Sequence, residues 1–88
     1  QAQHVNVLAR EAAAAAPTDV AAQFAVADLD VSGGHVADAF DRLLDLFAGV
    51  SPVQRAAVRD RLVELFDLVG SADPRVAAAR TRLASLLF

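Results

Sequence analysis

Residues 28–34 read DLDVSGG. Asp28, Asp30, Ser32 and Gly33 stand where an EF-hand calcium loop puts its first three ligands and its sharp-turn glycine. The same stretch also reads as the last turn of one helix and the joint into the next. A loop counted from Asp28 needs a bidentate acid at its twelfth position, and that position is Ala39. Its eighth position, usually apolar, is His35, and Asp38 falls one residue short. Losing the bidentate ligand removes two of about seven oxygens. Asp28 and Asp30, spaced i, i+2, point in different directions while the helix persists, beside the negative end of its dipole. The stretch is therefore a helix–turn–helix joint, and no resident metal is expected.

Working outward from that joint, prolines and glycines divide the chain into five helices. A leading helix with an Ala-rich end occupies residues 1–17 and is stopped by Pro17. Thr18 or Asp19 caps a second helix, about 19–32, with Val20, Phe24, Ala27 and Val31 on its apolar face. Ala21, Ala25 and Leu29 add a flanking stripe, so this helix should be buried on more than one side. Gly33-Gly34 ends it. The third helix, about 35–48, buries Val36, Ala39, Phe40, Leu43, Leu44 and Phe47, and spaces Asp38 and Arg42 at i, i+4 for an exposed pair. Ser51-Pro52-Val53-Gln54 restarts the chain with a capping box and a proline at the first helical position. The fourth helix, about 52–69, turns Val58, Leu62, Leu65, Phe66 and Val69 inward. Asp73-Pro74 repeats the restart for a fifth helix, about 74–88, carrying Val76, Ala79, Leu83, Leu86 and Leu87. The division expected is a leading helix over 1–17, the end of a preceding repeat, and a domain over 18–88.

Composition agrees with an all-α chain. Eighty-eight residues make one domain, which buries only about 60–65% of the surface its unfolded form exposes. The hydrophobic share is 56%, much of it alanine, the best helix former. Net charge is −3, with eight arginines and no lysine, a poor match to nucleic acid. Residues 1–50 hold two arginines against seven acids, and residues 51–88 hold six against four. Such a weakly bipolar surface can orient a partner. Cysteine is absent, which excludes a disulfide framework and thiol chemistry in this chain. No run approaches the roughly 18–20 apolar residues of a membrane span, and these residues show no signal-peptide pattern. The chain opens on Gln1, already in helical sequence, so a fragment of a longer protein is expected.

Catalytic chemistry finds no foothold. His4 and His35 are the only histidines and sit in no metal-ligand array. Ser32, Ser51, Ser71 and Ser85 lie in no nucleophile elbow. Gly33-Gly34 lacks the strand and the Lys-Ser/Thr of a phosphate loop. Neither an enzyme nor a cofactor site is expected.

The spacing around the joint is more specific. Ala27, Gly34, Ala39, Leu43 and Leu46 sit at offsets 0, 7, 12, 16 and 19, those of the small residues, turn glycine and packing positions of a tetratricopeptide repeat. Small residues let helices cross closely, and Pro52 stands near the repeat's closing proline. The aromatic positions of the first helix are missing: Gln23 and Asp30 stand there. The fold expected is an array of five short antiparallel helices, a divergent tetratricopeptide-like set of hairpins. A groove holding a carboxylate needs cations, and the helix VAAQFAVADLDV offers none.

The segment RDRLVELFDLVGSADPRVAAARTRLASLLF narrows the resemblance. Leu62, Leu65 and Phe66, then Asp73-Pro74, then the closing RTRLASLLF resemble the C-terminal helical region of bacterial thioredoxin-family co-chaperones, the chaperedoxins of YbbN type. Ala27, Gly34, Ala39, Leu43 and Leu44 fit the same region, so the likeness covers about residues 10–88. The loop Gly49–Ser51 is shorter than the family's charged connection. The resemblance implies a cytoplasmic bacterial protein of redox and folding homeostasis, with a thioredoxin-like domain upstream of this chain. It implies unfolded clients and a GroEL-type chaperonin as partners, contacted through the last helix. Carried over, Arg80, Arg82, Leu83, Leu86, Leu87 and Phe88 are the contact residues, although Leu83 and Leu87 also suit the cap of a solenoid. The alternative is a structural module that packs on its own thioredoxin-like domain or self-associates as a homo-oligomer.

Overall fold

The prolines and glycines act where their backbone chemistry says they should. The computed structural model describes residues 2–87, and side-chain environments from His4 to Leu87. It contains α1 (Ala2–Ala15), α2 (Val20–Ser32), α3 (Val36–Gly49), α4 (Pro52–Val69) and α5 (Pro74–Leu87). Pro52 and Pro74 open α4 and α5, where a missing N–H costs nothing. Asp19 caps α2 by accepting from Ala22 N at 3.1 Å, and Ser51 with Gln54 forms the capping box of α4. Asp73 accepts from Arg75 N at 2.8 Å. The Arg75 guanidinium, then that backbone N–H, hold the Asp73 carboxyl down at about 2.

DLDVSGG is the joint between α2 and α3. His35 N donates to Asp30 O at 2.7 Å and Gly34 N to Val31 O at 3.1 Å, the paired bonds of a Schellman motif. Gly34 carries the left-handed conformation, with φ 83°. A Cβ there meets no neighbouring atom, so the cost of Gly34→Ala is conformational. We expect it to destabilise the chain by about 1–2 kcal/mol, read as a lower urea midpoint with an unchanged slope; an unchanged midpoint would contradict this.

α3 is the centre of the molecule and packs against α2, α4 and α5, while α1 packs on α2. Its buried residues are Val36, Ala39, Phe40, Leu43, Leu44, Leu46 and Phe47. Ala27 and Ala39 are fully buried, as close α2–α3 packing requires. Phe40 meets Phe66 of α4 edge to face, with centroids 5.0 Å apart. The thinnest extent is 14 Å, that of two helix layers about 8–10 Å apart. The all-α array of five short helices expected from the sequence is the fold observed.

Three local expectations need correction. On α2, Ala21 and Ala25 are exposed, and the most buried line is Gln23, Val26, Ala27 and Asp30. Val20, Phe24 and Val31 are only partly buried. The line is set by helices packing from two sides, and polar residues lie on it because their partners arrive from those helices. The i, i+4 pair of Asp38 and Arg42 is replaced: Arg42 turns inward to Asp30 and Gln23, since a buried carboxylate needs it more than an exposed one does. On α5, Val76, Ala79 and Leu83 are buried, but Leu86 and Leu87 are exposed.

Candidate functional site

Two surfaces could meet a partner. The first is a cleft of about 640 Å³ between α1 and α3, floored by α2. Asp30 is 3% exposed, so its charge needs neutralising where it lies. Arg10 of α1 donates from Nη2 to Asp30 Oδ1 at 2.7 Å, and Arg42 Nε lies 3.8 Å from Asp30 Oδ2. Arg42 Nη1 also donates to Gln23 Oε1 at 2.7 Å. The Gln23 amide then donates to Ala13 O at 2.9 Å and Ala16 O at 3.2 Å. The Ala13 carbonyl belongs to the last turn of α1, which a helix leaves without internal partners, and Ala16 follows that helix, its carbonyl also accepting from Asp19 N at 3.0 Å. One network therefore neutralises a buried acid, caps α1 and seats it on α2.

The cleft does hold cations, contrary to the reading of α2 alone, but they come from α1 and α3. Both are engaged by Asp30. They do not stand ready to grip a carboxylate, so a clamp of that kind is still not expected here. Asp28, the other acid of the joint, pairs with Arg61 of α4, and Arg61 also lies over the Phe24 ring at 5.5 Å. The two carboxylates that resembled calcium ligands thus face guanidiniums from different helices. Sequence reading missed the Gln23–Asp30 network. Its available signal was a polar pair seven residues apart on one helix line, in a half-chain with only two arginines.

The second surface is the end of α5, where the family resemblance implied contact residues. Leu83 is 6% exposed and belongs to the core; it anchors the helix. Arg80 lies over the Phe66 ring at 5.2 Å. Arg82 bridges two acids of α3, Asp41 at 3.1 Å and Asp45 at 2.6 Å. Leu86 and Leu87 are 38% and 49% exposed. Phe88 lies outside the described residues. Arg80, Leu83 and Leu87 line one cavity, whereas Leu86 and Leu87 line another. Arg82 lines neither and is held toward α3. At the other end of the chain, α1 exposes Val5, Val7 and Leu8, each more than half.

No group of three or more His, Asp or Glu able to hold a metal ion occurs among the described residues. No described helix is long and apolar enough to cross a membrane.

Residues 2–88 match a family model described as "Tetratricopeptide repeat". Uncharacterized proteins of Mycobacterium bovis and Mycobacterium tuberculosis are 46% identical over 70 residues. The aligned region is 80% of this chain and 23% of each relative, so the chain spans about a quarter of their length. No solved structure gives a significant match.

Proposed function

The chain belongs to the tetratricopeptide repeat family, and from that premise we propose that it is a non-catalytic protein–protein interaction module of a thioredoxin-family co-chaperone. It docks on a GroEL-type chaperonin and contributes to holding unfolded clients. Repeats of this family generally mediate contacts between proteins; the co-chaperone role is our reading of the resemblance in LVELFDLVG, Asp73-Pro74 and RTRLASLLF. The observation that carries it is the exposed pair Leu86–Leu87 at the end of a helix anchored by Leu83. Apolar side chains held out on a fixed helix suit a partner's groove. Arg80 and Arg82, held by Phe66 and by Asp41 and Asp45, fix the sides of that helix.

The test is binding of the 88-residue chain to purified GroEL-type chaperonin, compared with the double variant Leu86→Glu, Leu87→Glu. Removing residues 83–88 is a poorer test because Leu83 is in the core. We expect the variant to keep its helicity and to lose at least about tenfold in affinity, or 1.4 kcal/mol. No binding by the parent chain, or equal binding by the variant, would sink the docking reading.

The exposed Val5, Val7 and Leu8 of α1 favour a second reading. In it, α1 packs on the parent's thioredoxin-like domain or on a second copy, and the chain serves as a structural module.

A further inference from the structure

We propose that the open trough between α4 and α5 is a docking site for a helical segment of a partner protein carrying carboxylates beside an apolar side chain. The inference rests on the interaction-module reading above, since Leu86 and Leu87 belong to both.

The argument starts from the arginines. Five of the eight face carboxylates on other parts of the fold or its caps: Arg10 and Arg42 face Asp30, Arg61 faces Asp28, Arg75 faces Asp73, and Arg82 faces Asp41 and Asp45. The other three are Arg55, Arg59 and Arg80. Arg55 donates from Nε to Phe47 O at 3.1 Å and lies 5.7 Å over the Phe47 ring. Arg80 lies over Phe66. Stacking on a ring fixes a guanidinium without neutralising it. Among the described residues, Arg59 has only its sequence neighbour Asp60 at 3.7 Å, and both side chains are more than half exposed.

All three of these arginines line one trough. It consists of two cavities, of about 290 and 200 Å³, that share Arg59 and Leu87. Ala56, Val63, Leu86 and Leu87 supply its apolar surface. Among the described residues, a chain of net charge −3 has thus gathered around an apolar depression the three arginines that face no carboxylate from another element. Arg55 and Arg59 stand at i, i+4 on α4, about 5–6 Å apart at Cβ. That is also the spacing of two carboxylates one turn apart on a second helix. Charge complementarity then selects and orients the segment, while its apolar side chain enters between Leu87 and Val63. Nucleic acid fits poorly, because three cations on a chain of net charge −3 make a weak phosphate track.

The probe is a short fluorescein-labelled helical peptide with two glutamates at i, i+4 flanking a leucine, titrated with the full chain and read by anisotropy. We expect saturable binding that weakens with salt. The same peptide with glutamines should bind at least about tenfold more weakly. Arg59→Glu should abolish binding, whereas Ala78→Glu, on the opposite face of α5, should leave it unchanged. Arg59 is exposed, so helicity should be unaffected by its substitution. The proposal is overturned by any of four results. These are absence of binding by the glutamate peptide, equal binding of its glutamine form, indifference to Arg59→Glu, or displacement by a single-stranded oligonucleotide of equal charge. Concentration-dependent self-association abolished by Arg59→Glu would assign the trough to a second copy and overturn it also. Peptide binding without chaperonin binding would remove the docking reading and keep the trough. Chaperonin binding indifferent to Arg59→Glu would do the reverse.

Discussion

Phe66→Ala should destabilise the protein by about 3–5 kcal/mol, more than any other single truncation argued for this chain. Phe66 is 1% exposed, and its ring touches three helices' business at once. It sits on α4, meets Phe40 of α3 edge to face, and carries Arg80 of α5 on its surface. Removing it leaves a cavity where α3, α4 and α5 converge, and backbone helices cannot collapse into it without losing their other contacts. A domain of this size is stable by only about 5–13 kcal/mol, so the variant should lie near the edge of folding. The chain has neither Trp nor Tyr, which makes far-ultraviolet circular dichroism in urea the natural measurement. A double cycle with Phe40→Leu should isolate an edge-to-face coupling of about 0.5–1.5 kcal/mol. A loss below about 1 kcal/mol for Phe66→Ala would mean that α4 does not pack on α3 as described.

That core was largely legible in the sequence, and for a local reason. The apolar periods of α3 and α4 select Phe40, Leu43, Leu44, Phe47, Val58, Leu62, Leu65 and Phe66, all of them buried. The caps at Asp19, Ser51 and Asp73 act within three residues of themselves, so neighbouring sequence is enough to find them. The same logic failed on α2. Scoring apolar period favours Val20, Phe24 and Val31, yet the deepest line carries Gln23 and Asp30. Which face of a helix is deepest depends on how many helices press on it, and periodicity within one helix does not contain that.

The trough was less legible still. Arg55, Arg59 and Arg80 can be read as three arginines among eight. What distinguishes them is the pairing of the others, through bonds spanning 20 residues for Arg10–Asp30, 33 for Arg61–Asp28 and 37 to 41 for Arg82. The charge asymmetry between the two halves hinted at a bipolar surface. Only the packed helices show which arginines face carboxylates of other helices. The α5 reading divided in the same way. Its period marks Leu83, Leu86 and Leu87 as apolar alike, but Leu83 is buried by the fold and its neighbours are left outside.

Asp30→Ala is the second large effect, and its size follows from what the substitution leaves behind. Breaking a buried ion pair by removing one partner costs about 3–5 kcal/mol, because the surviving charge stays desolvated. Here Arg10 and Arg42 keep 44% and 31% of their side-chain exposure and can recover water, so about 2–3 kcal/mol is the expected loss. The joint replacement Arg10→Met, Asp30→Leu, Arg42→Met removes all three charges and should regain most of it. Recovery should stop short, because Gln23 Oε1 then loses the donor Arg42 supplies. If the triple variant is no better than Asp30→Ala, the loss was one of shape and not of unpaired charge. The single variant should also act unevenly along the chain. Among its described residues α1 buries little apolar surface beyond Ala13, and it is seated by Arg10 and by the Gln23 amide. Hydrogen exchange should therefore rise first in α1, while α3 and α4 keep their protection through Phe40 and Phe66. Equal loss of protection in all five helices would refute this, and would make α1 part of one cooperative unit with the core.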